Sequence, residues 1–254
     1  MFKNLENVRN CICPAGKVII YWLGGAGFVF KFADGQIICI DPYLSDSNER
    51  LQKGTFRRLT LAPITPDKIR FDTLLFSHEH GDHMDIDAFD EMSAANKDAA
   101  IFGPACCAEF LDSKNARWTK VAPGQALQLG QITINVVDCN HGDDSPDAVG
   151  FLVKFDRRAI YFVGDSCFDN KIMQPIARTR PDIVLPPING AYGNLNEKEA
   201  AEVAKMCSAK FAIPCHFGLF MEHGGCPRRF AEALAESAPD AQIVVLTPGR
   251  GIEI

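Results

Sequence analysis

A layered α/β fold is the class this sequence predicts, and three observations predict it. Short apolar runs broken by glycine turns open the chain. Later apolar runs alternate with stretches of helical periodicity. Neither a solenoid-type repeat nor a low-complexity tract interrupts them. That mixed order of strands and helices is incompatible with a parallel barrel. With 47% hydrophobic and 23% charged residues over 254 positions, the chain has the proportions of a folded protein. A chain of this length buries roughly 70–75% of its unfolded surface and needs no disulfides to hold a core.

The elements follow in order. Residues 1–15 are polar and are expected to form a loosely held start. Apolar runs at 18–22, 28–32 and 37–41, separated by Gly24-Gly25-Ala26-Gly27 and by Asp34-Gly35, read as a β-meander. A phosphate loop would need a helix after the glycines, and Phe28-Val29-Phe30 reads as a strand. Further strands are expected at 73–77, 132–138, 149–156, 159–164, 182–185, 211–214 and 243–246. Helices are expected at 84–96, 105–114, 169–179, 197–210 and 227–237. The fourth is the clearest, with Asn196 as its cap, Glu197 and Glu199 at its positive end, and Ala200, Val203, Ala204 and Cys207 at helical spacing. Pro227 suits the first turn of the last helix and Pro239 its stop.

Composition removes several function classes. A net charge of −6 argues against a nucleic-acid polymer as partner, which requires a cationic footprint. No apolar run reaches the roughly 18 residues of a membrane span, and the start lacks a signal-peptide pattern, so a cytoplasmic protein with no membrane partner is expected. The ten cysteines form no Cys-x-x-Cys pair, which excludes zinc-ribbon and thioredoxin readings. Most are expected to be buried free thiols.

Chemistry concentrates in Ser77-His78-Glu79-His80-Gly81-Asp82-His83-Met84-Asp85, which holds three of the six histidines. His78 and His80 are two apart, so extended backbone points them the same way. Asp82 and His83 come from the turn that follows, with Asp85 and Asp87 expected in the first turn of a helix. One short loop thus presents imidazoles and a carboxylate in two directions, a donor set suited to zinc, iron, manganese or copper. The zincin pattern fails, because position i+4 from His78 is Asp82. His141, Asp165 and His216 each end a predicted strand. His223, in Glu222-His223-Gly224-Gly225, reads as an exposed loop residue. Cys215 is expected to face away from His216 if the pair is extended. Asn189, Tyr192 and Asn194 follow a strand and are candidate substrate contacts, although Asn and Gly are also ordinary turn residues.

The pattern His78-x-His80-x-Asp82-His83, then His141, Asp165 and His216, resembles the signature of metallo-β-lactamase-fold hydrolases. Asp41, in Ile40-Asp41-Pro42, matches the superfamily's first short motif. Within it the chain resembles the L-ascorbate-6-phosphate lactonase (UlaG-like) branch. The resemblance is carried by Trp22-Leu23-Gly24-Gly25-Ala26-Gly27-Phe28, Gly164-Asp165-Ser166, Leu185-Pro186-Pro187-Ile188-Asn189-Gly190, Gly193-Asn194-Leu195-Asn196, Ile213-Pro214-Cys215-His216-Phe217 and Thr247-Pro248-Gly249-Arg250. His141 stands near where the lactonase carries a carboxylate, and Ala191-Tyr192 stand where the branch often has Arg.

The resemblance implies a four-layer αββα sandwich forming a single domain over 1–254. It assigns His78, His80 and His141 to one metal and Asp82, His83 and His216 to a second, with Asp165 bridging and Asp41 supporting the loop. Two divalent ions would be held, zinc first by affinity, with manganese or iron as alternatives. A hydroxide between them would attack a carbonyl or phosphorus centre, and Asp82 would pass a proton to the leaving group. The implied activity is hydrolysis of a small anionic ester or lactone, the alternative a small phosphodiester. A di-iron oxidoreductase on this fold would have a carboxylate where His80 stands and usually a flavin domain. A decayed binding protein would have lost ligands, and all seven are present. The partner is a small molecule, and a homo-oligomer is compatible with everything above.

Overall fold

The computed structural model describes residues 3–254. They form two compact units, the first comprising 3–121, 219–222 and 246–254, the second 122–218 and 223–245. In chain order the strands are β1 (Lys3–Asn4), β2 (Val18–Gly24), β3 (Gly27–Phe32), β4 (Ile37–Ile40), β5 (Thr73–Leu75), β6 (Ala100–Gly103), β7 (Trp118–Lys120), β8 (Ala126–Leu129), β9 (Ile132–Asp138), β10 (Val149–Phe155), β11 (Arg158–Phe162), β12 (Ile183–Leu185), β13 (Phe211–Ala212), β14 (Gln242–Ile243) and β15 (Arg250–Glu253). The α-helices are α1 (Ser47–Leu51), α2 (Phe89–Ala95), α3 (Ala108–Ser113), α4 (Asn170–Ala177), α5 (Glu197–Cys207) and α6 (Pro227–Ser237).

The first unit is built on a mixed sheet in the order β1-β15-β2-β3-β4-β5-β6-β7. Its first four pairings are antiparallel and its last three parallel. Hairpin glycines explain the antiparallel half: Gly24 (φ 96°) and Gly25 (φ 55°) take the positive dihedrals of the β2–β3 turn. The glycine-rich stretch is therefore a strand connection, as its sequence implied. Alternate residues of the strands, among them Tyr21, Val29, Cys39 and Leu74, meet Phe89, Met92 and Leu111 in one core. Lys3–Asn4 pairs with β15, and Leu5 and Val8 are buried in that core, so hydrophobic contacts extend into the polar start of the chain.

In the second unit the order is β14-β13-β12-β11-β10-β9-β8. Strands β8 to β11 form an antiparallel meander, and β11 to β14 run parallel. Parallel neighbours need crossovers, and α4, α5 and α6 supply them. Leu152, Tyr161, Val184 and Ala212 pack with Met173, Ala200, Ala204 and Phe230 from these helices. Helix α5 begins at a capping box in which Asn196 accepts from the Lys198 and Glu199 amides and Glu199 reaches back to the Asn196 N–H. Glu197 accepts from the Cys226 amide and from Arg229, tying the start of α5 to the start of α6. Burial raises the Glu197 carboxyl, but its backbone bonds and Arg229 outweigh this and hold it below its ordinary range.

One expected helix is corrected. The span 84–96 is helical only over Phe89–Ala95. Asp85 does not sit on a first turn; its buried carboxylate accepts from the Leu44 and Ser45 amides at 2.7 Å, from the hydroxyls of Ser45 and Ser47, and from the Asp87 and Ala88 amides. Those bonds join the 44–47 segment to the histidine loop and delay the helix. Residues 105–114 likewise divide into a 3₁₀ turn over Ala105–Cys107 and helix α3. No disulfide joins the ten cysteines; Cys13, Cys39, Cys107, Cys207 and Cys215 are buried and the other five half-buried.

Candidate metal centre

In the first unit the histidine loop leaves the end of β5. His78 and His80 approach with ring centroids 4.6 Å apart, and His78 and His83 at 4.0 Å. A turn closed by the His83 and Met84 amides on the His80 carbonyl carries Asp82, which is half-buried, while His78 and His83 are fully buried. Asp82 Oδ2 lies 4.0 Å from His83 Nε2.

Asp41, at the end of β4, anchors this loop. Its Oδ1 accepts from the Ser77 amide at 2.8 Å, and its Oδ2 accepts from the Ser77 hydroxyl and from His83 Nδ1 at 2.8 Å. A carboxylate only accepts, so the His83 proton sits on Nδ1, and in the neutral ring this leaves Nε2 bare. The Ser77 hydroxyl spends its single proton on Asp41, so toward His78 Nδ1, 3.0 Å away, it accepts. His78 is thereby also fixed with a bare Nε2. Burial pushes the Asp41 carboxyl up from its ordinary range, and His83 and Ser77 draw it back. Ligand atoms of Asp41, His78 and His83 all lie within 4.8 Å of one another. Because the Asp41 oxygens are committed to Ser77 and His83, its role is to orient imidazoles rather than to bind an ion directly.

The second unit gathers three further predicted residues at strand ends. His141 is buried just beyond β9. Its loop is pinned to the loop after β11: the Cys167 amide donates to the Asn140 carbonyl, the Asn140 amide to Ser166 Oγ, and the Cys139 thiol to the Asp165 carbonyl. Asp165 Oδ2 lies 3.1 Å from His216 Nε2 and accepts from Asn194 Nδ2 at 2.7 Å. That spacing suits two ligands of one cation. His216 has φ 56°, so Cys215-His216 is not an extended pair, and alternation does not decide which way Cys215 points. Asp41 has φ 46°, the same left-handed region, at the other strand-end carboxylate of the set.

His223 is a correction. It is 8% exposed, not a solvent-facing loop residue, and its ring lies 4.4 Å from that of His216. Tyr192 is exposed and stands edge-on to His223 at 6.1 Å. Asn189 and Asn194 are buried. Ser77 and Asp85 are site-supporting residues that the sequence reading did not single out. For Ser77 the signal was its place directly before the first histidine, at a strand end where a side chain faces the loop it enters.

The donor set is imidazole and carboxylate with protons fixed away from Nε2 on His78 and His83, which fits transition-metal ions. Comparison with known proteins agrees. Residues 19–216 match the family described as Beta-lactamase superfamily domain. The chain is 26% identical to a UPF0173 metal-dependent hydrolase of Archaeoglobus fulgidus, over 92% of this chain and 98% of the relative. It resembles Igni18, a metallo hydrolase from Ignicoccus hospitalis, at TM-score 0.78 and 22% identity over 94% of this chain and 98% of that one. It also resembles the metallo-β-lactamase fold protein YhfI from Bacillus subtilis at TM-score 0.71 and 16% identity, over 94% and 99% of the two chains. Two mixed sheets with flanking helices, a histidine loop propped by a buried aspartate, and this match over most of the length lead to one conclusion: the chain belongs to the beta-lactamase superfamily domain family and is a metal-dependent hydrolase of metallo-β-lactamase fold.

Proposed function

We propose that this enzyme hydrolyses a small, anionic ester or lactone at a dinuclear centre, as in the L-ascorbate-6-phosphate lactonase branch it resembles. In this reading His78, His80 and His141 would hold one ion and Asp82, His83 and His216 the other, with Asp165 as a further ligand. Residues 1–254 act as one domain. Zinc is favoured by the imidazole-rich donor set, with manganese or iron as substitutes. Bound there, the ions supply an activated water and polarise the electrophile. Asp82 then hands a proton to the leaving group, and Asn189, Tyr192 and Asn194 hold the substrate. The observation that carries this reading is the proton placement on His78 and His83, which turns both Nε2 atoms into acceptors for a cation. Among the described residues no helix is long and apolar enough to cross a membrane, which accords with a cytoplasmic enzyme acting on a diffusible substrate.

The test is elemental analysis of the purified protein, expected to give close to two transition-metal ions per chain. Less than half an ion, with no gain on reconstitution, refutes the centre. Asp165→Ala and His83→Ala are expected to abolish hydrolysis in folded protein. Assaying the metal-replete enzyme on a sugar lactone phosphate and on a bis-aryl phosphodiester separates the preferred substrate class from the phosphodiester alternative.

A further inference from the structure

The segment 186–196, between β12 and α5 in the second unit, is folded so as to bring one amide onto Asp165. Gly190 (φ 61°), Tyr192 (φ 55°) and Gly193 (φ 77°) take left-handed backbone and curl it tightly. The Ala191 carbonyl accepts from the Asn194 main-chain N–H at 3.0 Å and from Asn189 Nδ2 at 3.2 Å, and the Gly190 N–H donates to the Leu195 carbonyl at 3.0 Å. The Leu195 N–H reaches the Ser166 carbonyl at 2.8 Å, which sets the loop in register with the residue after Asp165. The capping box at Asn196 fixes the other end. Asn194, held by these bonds and 6% exposed, donates through Nδ2 to Asp165 Oδ2 at 2.7 Å.

Only one orientation of that amide is possible. Turned over, it would set Oδ1 against a carboxylate oxygen, acceptor against acceptor. With Nδ2 on Asp165, Oδ1 is enclosed and meets no donor. A buried carbonyl oxygen without a donor is destabilising, and a leucine of similar size would not carry that cost. An amide kept at such a position acts through its other end, and that end holds Asp165. The same Oδ2 lies 3.1 Å from His216 Nε2, so the bond from Asn194 decides which carboxylate oxygen stands beside the imidazole. The donor is neutral, so it orients the carboxylate without cancelling the charge that attracts a cation.

We infer that Asn194 is a positioning residue of the metal centre: its N–H fixes the rotation of the Asp165 carboxylate and presents Oδ2, beside His216, to a cation. The inference rests on the centre proposed above and deepens it. With Nδ2 committed and Oδ1 enclosed, the influence of Asn194 on a substrate passes through Asp165. Without that bond the carboxylate is free to turn about its Cβ–Cγ axis, and ordering it again on metal uptake weakens binding.

The test uses the full chain, stripped of metal with a chelator and titrated with zinc against a chromophoric competitor, alongside calorimetry of the metal-free protein. Asn194→Leu is expected to weaken zinc binding about 10- to 100-fold, the effect of losing an outer partner of a metal ligand. Its metal-free Tm is expected to stay within about 4 °C of the parent, since the bond lost from Asp165 is offset by removal of the orphaned oxygen. A side chain that only supports the fold gives the opposite pattern, a lower Tm with zinc affinity intact. Should Asn194→Leu fail to fold, the smaller Asn194→Val decides, and failure of both assigns Asn194 to the fold and overturns the inference. Zinc affinity within about twofold of the parent, or a loss accompanied by a fall of more than about 4 °C in the metal-free Tm, overturns it as well. Each of these results, in a parent that binds zinc, leaves the centre standing, whereas a parent that takes up no zinc overturns the centre and this inference with it.

Discussion

Replacing Asp41 by Asn keeps the size of the side chain and removes its charge. Whichever way the amide turns, its NH₂ meets a donor. In the Oδ2 place it faces the Ser77 hydroxyl and the His83 Nδ1–H; in the Oδ1 place it faces the Ser77 amide. The first orientation can be relieved only if His83 moves its proton to Nε2, the atom needed for a cation. A lost hydrogen bond to a buried charge costs about 1.5–3 kcal/mol. Part of that is returned, because burial already disfavours the ionised Asp41. A net loss of about 2 kcal/mol is expected, or about 4–8 °C in Tm for a chain of this size. Calorimetry of the metal-free variant reads that term. Competition with a chelator reads the other, an expected 10- to 100-fold loss of metal affinity, roughly the effect of removing an outer partner of a ligating histidine. If Tm moves by less than about 1 °C and affinity by less than about twofold, the proton placement argued from Asp41 is wrong.

Three further outcomes are expected. Asp85→Ala strands the Leu44 and Ser45 amides and should cost about 3 kcal/mol or more, read as a lower urea midpoint at unchanged m-value; a cost below about 1 kcal/mol would remove Asp85 from its anchoring role. Glu197 titrates below its ordinary value of 4.5 in the folded chain, so its stabilisation is fully present above that pH and is lost as pH falls through the lowered value. The Tm gap between the parent and Glu197→Gln should therefore close in acid, and a gap that widens there contradicts the cross-helix bond. Phe230→Ala empties a fully buried position between α6 and its sheet and should cost about 3–5 kcal/mol in chemical denaturation.

Strands with a strong apolar run were readable before any coordinates. Residues 18–22, 28–32 and 132–138 are buried by packing on both or alternate faces, and hydropathy alone marks them. Strands β7, β8 and β15 went unread because they are short and partly exposed: Ala126–Leu129 alternates exposed and half-buried, and Arg250–Glu253 carries two charges in four residues. The helix expected from 84 starts five residues late because the Asp85 carboxylate is spent on a segment forty positions away, which periodicity does not register. At the site, spacing was enough to group His78, His80, Asp82 and His83. His223 was misjudged for the same reason as Asp85. Its burial depends on Gly224 and Gly225 meeting the 188–189 backbone, a tertiary contact with no trace in the local sequence.

Position 216 holds an imidazole on a left-handed backbone, and L-residues other than glycine carry a penalty of about 1–2 kcal/mol there. Glycine at 216 would relieve the main chain and so offset part of the cost of emptying this buried position, which lets a screen for heat resistance alone spare a variant that has discarded a nitrogen proposed above as a metal ligand. Anyone evolving this enzyme for robustness should therefore score turnover alongside survival in every round, since survival alone under-reports the loss of this side chain.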